Sequence, residues 1–381
     1  MKFSKIFAIS AIAVLAMSFT ACKKSSENDE DSKIKRGSQE ALNAACEQWK
    51  ESRQYWEWSE AFLFGPATTY SIDPHTDTWP FAKTQFESLM QKYNPATNDD
   101  DAAFIDEYIA KGESSAGFHA VEYILFRNGQ PRQIADLTED EVYYAKSAAK
   151  DLRLAAIKLV AAWGGDISKE EQDILDEAEW EAENNYGESH FLNQSGTQAA
   201  KQIIAGCSDI IGEVADSKIA SAYKGEDTNY IESPHAYNSI QDFYDNIISC
   251  QNALYGKFGA TKPESNSLIA YTNAVPQMAE QSKKVQDALK NALDKIQEMK
   301  KPFVLNYTDA SCGVAIEALH EFDDELAKLE ELLSKYENDA TQNAELKKVA
   351  EKYYKDVVLA TYRGLADNGK KLADRVDKIA E

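Results

Sequence analysis

Apolar residues recur at helical spacing along most of this chain. From Glu40 to Phe64, the residues Leu42, Cys46, Trp49, Tyr55, Trp56 and Phe62 are candidate buried positions of one long amphipathic helix. Gly65-Pro66 stops it. Pro74 and Pro80, set among Thr and Asp, predict an irregular loop over 67–82. Short helices follow at 84–93 and 102–110, and the apolar run from Ser115 predicts another to about Phe126. Thr138 and Glu141 have the spacing of a capping box. They open an Ala/Leu-rich helix that reaches Trp163 and ends at Gly164-Gly165. Residues 169–184 are acidic and exposed in character, and 197–223 form a further long helix. Lys224-Gly225-Glu226-Asp227 marks the join between two halves. The second half predicts helices over 237–255, 268–298, 310–335 and 341–380, with Lys/Glu patterning on solvated outer faces. Strand alternation of useful length is missing. The pattern is that of an all-α protein with two helical-bundle domains, 38–225 and 226–381.

The N-terminus has a different pattern. Lys2 and Lys5 precede an apolar core from Ile6 to Phe19, too short for a typical spanning helix. Residues 1–21 are therefore expected to be a secretory leader. Phe19-Thr20-Ala21-Cys22 resembles a bacterial lipobox, which predicts lipidation of Cys22 and a membrane anchor that does not span. Residues 22–37 are polar and charged, as in a disordered tether. The acidic run within them also resembles a surface-export signal. The expected location is the Gram-negative cell envelope, lipid-anchored to the outer membrane, on its periplasmic or its outer face.

The 381 residues are 43% apolar, enough for a sizeable core. Formal charge is −23, and removal of the leader with its two lysines takes it to −25. This excess disfavours nucleic acid as a partner and suits acidic sites for cations. Cys46, Cys207, Cys250 and Cys312 remain after Cys22, widely spaced and without a Cys-x-x-Cys. An envelope compartment permits bridges between them, and buried free thiols fit equally well.

His119 and Glu122 lie three apart in Gly117-Phe118-His119-Ala120-Val121-Glu122, so on a helix they share a face. An imidazole and a carboxylate so placed either share one cation or hydrogen-bond each other. Glu317-x-x-His320 has the spacing of di-iron bundle ligands. It occurs once and is followed by further acids, which favours a solvated helix face. There is no His-Glu-x-x-His, no Gly-x-Ser-x-Gly and no phosphate-binding glycine loop.

A series of stations carries a family resemblance. They begin with Trp49, Arg53 and Tyr55, running into Ser59-Glu60-Ala61-Phe62-Leu63-Phe64-Gly65-Pro66. Asp73-Pro74 and Trp79-Pro80 come next, then Gly117, His119 and Glu122 with Tyr123 and Leu125. Ile204-x-Gly206, Ile211-Gly212-Glu213-Val214 and Lys218-Ile219 follow, and Glu232-Ser233, Tyr237, Asp242-Phe243 and Asn246 close the series. Taken in this order, they resemble the imelysin-like family, also described as metallopeptidases. The resemblance implies two helical domains side by side with a cleft between them, lined by His119 and Glu122. It also implies a link to bacterial iron acquisition.

The candidate site is then His119 and Glu122 as metal ligands, or as catalytic residues in a peptidase, with Arg53, Glu60, Glu232 and Ser233 as ligand-binding residues. An Arg near Glu122 would keep that carboxylate ionised. The alternative for Arg53, Glu60 and Glu232 is a set of buried ion pairs, and Glu213 with Lys218 reads as a structural pair. The first functional reading is binding of a divalent metal, iron, or a small iron-bearing ligand. The second is a metallopeptidase acting on peptides. The third is a surface adhesin or receptor component whose cleft takes a peptide, glycan or haem.

Overall fold

The computed structural model describes residues 37–94, 98–110 and 116–380. The expected leader, Cys22 and the expected tether apart from Gly37 lie outside the described residues. Helix α1 (Gln39–Glu57) starts where the Ser38 side chain accepts from the Ala41 amide and satisfies a free donor of the first turn. It stops at Glu57, short of the expected Phe64. The Ser59 hydroxyl donates to the Trp56 carbonyl at 2.7 Å, and the Ala61 amide donates to Ser249 Oγ at 3.1 Å. These side-chain bonds compete with the helical ladder, and Glu60–Phe62 form a separate 3-10 turn. The expected loop over 67–82 contains two short helices, α2 (Pro66–Thr69) and α3 (Ile72–Thr76).

Helices α4 (Lys83–Lys92), α5 (Asp99–Ala110) and α6 (Gly117–Leu125) follow. Strands β1 (Phe126–Arg127) and β2 (Gln130–Pro131) pair antiparallel around Asn128-Gly129, both at positive φ. That is the chemistry of a two-residue hairpin turn, and it is the only strand pairing among the described residues. Helix α7 (Glu139–Trp163) has the complete Thr138–Glu141 capping box. Beyond α8 (Lys169–Glu177), α9 (Gly196–Gly212) runs through a π-helical stretch, Glu213–Ile219, into α10 (Ala220–Tyr223).

The second half holds α11 (Ser239–Tyr255), α12 (Leu268–Ala274), α13 (Ala279–Glu298), α14 (Phe303–Asn306) and α15 (Ala310–Ser334). The helix expected over 268–298 is broken beside Pro276, which lacks the amide donor a helix interior needs. Helix α16 (Ala340–Tyr353) continues through a π-helical stretch, Tyr354–Leu359, into α17 (Ala360–Ala380).

Helix α17 packs along both α7 and α1, so the end of the chain returns to helices of its first half. Helix α6 lies on α7, α13 pairs with α15, α9 touches α15 and α16, and α11 reaches α1, α9 and α13. Trp49, Trp56 and Trp163 are fully buried in the core. Cys46, Cys207, Cys250 and Cys312 are buried free thiols. Glu317 and His320 are exposed, with His320 3.1 Å from Asp216. Among the described residues no helix is long and apolar enough to cross a membrane.

Candidate metal and ligand site

The start of α6 is pressed against the end of α3. Gly117 has φ +71°, and a side chain there would overlap the Thr76 carbonyl oxygen. Only glycine combines that backbone with so close an approach. The contact brings Asp77, which follows α3, to His119 in the first turn of α6. His119 Nε2 lies 3.1 Å from Asp77 Oδ1, and Nδ1 lies 3.4 Å from Glu122 Oε2. The imidazole thus bridges two carboxylates while almost wholly buried.

Glu122 is held from its other side. Its Oε1 accepts from the His235 amide at 2.7 Å and from the Ala236 amide at 2.8 Å. The loop presenting those amides is fixed in turn by the hairpin, because the Gly129 amide donates to the His235 carbonyl at 2.9 Å. A side chain at Gly129 would overlap the Tyr237 ring.

Arg53, near the end of α1, is fully buried and joins four acidic groups. One amino group donates to Asp77. The other donates to Glu232 Oε1 at 2.7 Å and lies 2.5 Å from Glu57 Oε1, while Nε is 3.8 Å from Asp242. Its guanidinium also stands over the Phe118 ring, 5.4 Å from the centroid. Lys218, from the π-helical stretch, donates to Glu232 Oε1 at 3.0 Å. Trp56 Nε1 donates to Asp77 Oδ2 at 3.0 Å, and the Asn246 side-chain amide donates to Glu57.

Burial and charge act against each other here. Burial alone would lower the His119 pKa, but hydrogen bonds to Asp77 and Glu122 raise it to about 9. Burial alone would raise Asp77, but Arg53 and His119 hold its carboxyl well below the usual range. Burial pushes Glu57 well up, and pushes Asp242 up to about 7. Arg53, Lys218 and protonated His119 therefore face Glu57, Asp77, Glu122, Glu232 and Asp242, an acidic excess that protons on Glu57 and Asp242 relieve. A bound divalent cation would relieve part of it, since His119 must give up its proton to become a ligand.

Asp77, His119 and Glu232 each offer a ligand atom, and these atoms lie within 4.8 Å of one another. Glu232 Oε2 is buried without a hydrogen-bond partner among the described residues. One imidazole nitrogen and two carboxylate oxygens fit a hard or borderline divalent ion. Beside them lies a cavity of about 690 Å³ with His119 and Glu122 in its wall, enclosed by segments 79–85 and 227–235. Trp79 and Phe81 give it aromatic walls, and Lys83 gives it an ammonium.

The structure thus brings Arg53, His119, Glu122 and Glu232 together. Arg53 reaches Glu57, Asp77 and Glu232, whereas backbone amides serve Glu122. Ser233 is buried at φ +44°, beside Glu232 in the chain. Glu60 is buried on the 3-10 turn, where burial pushes its carboxyl well up and Lys218 opposes the rise. It is not one of the three grouped ligands. Lys218 lies 3.7 Å from Glu213 but closer to Glu232. Sequence reasoning missed Asp77 and Glu57, and named Asp242 only as a station of the resemblance, without a role in the site. Asp77 stood in an expected loop, and its only signal was its place between the Asp73-Pro74 and Trp79-Pro80 stations.

Comparisons with known proteins agree with this architecture. Over 216 residues the chain is 27% identical to Iron-regulated protein A of Synechococcus elongatus, a match covering 57% of this chain and 53% of that protein. The chain thus spans about half the length of that curated relative. A solved structure described as an iron-regulated protein A precursor, from Parabacteroides distasonis, superposes with a TM-score of 0.60 at 24% identity, covering 77% of this chain and 84% of that one. An imelysin peptidase from Bacteroides ovatus superposes with a TM-score of 0.50 at 24% identity, covering 63% and 67% respectively. At that identity the two structures establish the fold alone. The family model described as imelysin, peptidase M75, matches residues 23–335. The chain belongs to the imelysin family.

Proposed function

We propose that this protein is a lipid-anchored envelope protein that binds a metal ion or an iron-bearing ligand at Asp77, His119 and Glu232, in the service of iron acquisition. The observation that carries the reading is the grouping of those three ligand atoms with the orphaned Glu232 Oε2. Leaving a buried carboxylate oxygen unpaired costs on the order of 1–3 kcal/mol or more, and a cation removes that cost. The iron link rests on the iron-regulated name of the curated relative. The apolar, leader-like stretch over 1–21, followed by Cys22, supports the anchor.

Metal-free protein is expected to bind iron(II) or zinc(II) at micromolar concentration with one ion per chain, measured by calorimetry and X-ray fluorescence. His119→Ala and Asp77→Asn should each weaken binding at least tenfold. No uptake of iron, zinc or calcium by the wild type would end the metal version of this reading.

The cavity beside His119 supports a second reading, a metallopeptidase, because its volume accommodates a short stretch of peptide. A cation held there would polarise a substrate carbonyl. Glu122 is poorly placed as general base, since one oxygen already accepts two amides and the other faces His119. Casein cleavage that is equal in the wild type, His119→Ala and Glu122→Ala would assign the activity to a contaminant.

A further inference from the structure

We infer that Arg53 is the resident counter-cation of the metal site and sets how tightly an incoming ion is held. The inference rests on the metal-binding reading and adds reversibility to it. Two of the three ligand residues are already engaged by this one side chain: one amino group is on Asp77, the other on Glu232 Oε1. The Asp77 oxygen that Arg53 contacts, Oδ1, is the same one that faces His119 Nε2. An ion among these ligands therefore shares carboxylates with a guanidinium a few ångströms away, and like charges at that range repel strongly in a buried setting.

Lys218 adds a second positive charge on Glu232 Oε1. What is left for the ion is Glu232 Oε2, the remaining lone pairs of Asp77, and a His119 nitrogen once that ring has given up a proton. Arg53 is held by Glu57 and packed on Phe118, which keeps its positive charge beside the ligands. A permanent cofactor site would have no use for a competing cation in its ligand shell. A site that takes up an ion as cargo and gives it up does, because the competitor weakens binding while keeping the carboxylates in place.

The test is titration of metal-free wild type, Arg53→Met, Arg53→Lys and Lys218→Met with zinc(II), and with iron(II) under anaerobic conditions. Each titration is paired with thermal melts. Arg53→Met should bind at least tenfold more tightly than wild type and gain a larger metal-induced rise in Tm. Arg53→Lys keeps the charge and should stay within about threefold of wild type. Lys218→Met removes a charge from only one of the three ligand residues, Glu232, and should tighten binding by a smaller factor. Equal or weaker binding by Arg53→Met, with wild type binding normally, overturns the inference and leaves the metal reading intact. Binding by none of the four proteins removes the metal reading, and this inference with it. If Arg53→Met folds only with metal present, at one ion per chain, the inference stands. If it folds in neither condition, Lys218→Met decides, and an affinity unchanged from wild type overturns the inference.

Discussion

A carboxylate outside the site shows how this fold handles buried charge. Asp245 on α11 is almost fully buried and has no cationic partner among the described residues. It accepts from Trp58 Nε1 at 2.8 Å, Gln241 Nε2 at 2.8 Å and Gln54 Nε2 at 3.3 Å. Burial outweighs these donors and raises its pKa to about 6. The folded value lies above the unfolded one, so its contribution to stability is fully present below about pH 4 and is lost as pH rises through about 6. Asp245→Asn should therefore flatten the fall in unfolding free energy between pH 5 and pH 7.5 by about 1 kcal/mol, read from urea melts at the two pH values. An unchanged slope would show that Asp245 does not titrate in this range. The same scale shows what was legible in the sequence. His119 and Glu122 share a helix, and their spacing alone aligned them. Asp77 reaches His119 only through the α3–α6 contact, which no local pattern encodes.

At the scale of elements, most helices could be read from periodicity and caps, and the Thr138–Glu141 box marked a real start. The misplaced ends have tertiary causes. Helix α1 stops at Glu57 partly because Ala61 bonds to a serine on α11, 188 positions away. Gly117 is the residue on which the site's elements meet, since it lets α6 begin against the Thr76 carbonyl. Gly117→Ala combines a left-handed backbone with steric overlap and should destabilise the protein by about 2–4 kcal/mol. It should also lower metal affinity, because Asp77 and His119 are forced apart. A variant with wild-type urea midpoint and wild-type affinity would show that the apposition is soft.

At the scale of the whole molecule, the helical class was legible because nearly every segment has an amphipathic stripe. The return of α17 to α1 and α7 was not, since sequence order pointed to a second bundle. The proposed anchor at Cys22 lies outside the described residues, which begin at Gly37. Cys22→Ser should abolish palmitate labelling and release the protein from membranes, with its melting temperature and metal affinity unchanged. Release accompanied by unfolding would show that the body depends on its leader.

The site's parts come from distant places in the chain. Arg53 and Glu232 are 179 positions apart, and Glu122 and Ala236 are 114 apart. Contacts of such separation form late, because long loops must close first. Before the loop at 231–239 docks, Arg53 has only its near neighbours Glu57 and Asp77, and Glu232 is still in water. Under the metal-binding reading, an ion then finds no third ligand on a partly folded chain. Loading then becomes a certificate of completed folding: a chain whose distant segments have not yet met stays empty, and only a finished one holds the ion.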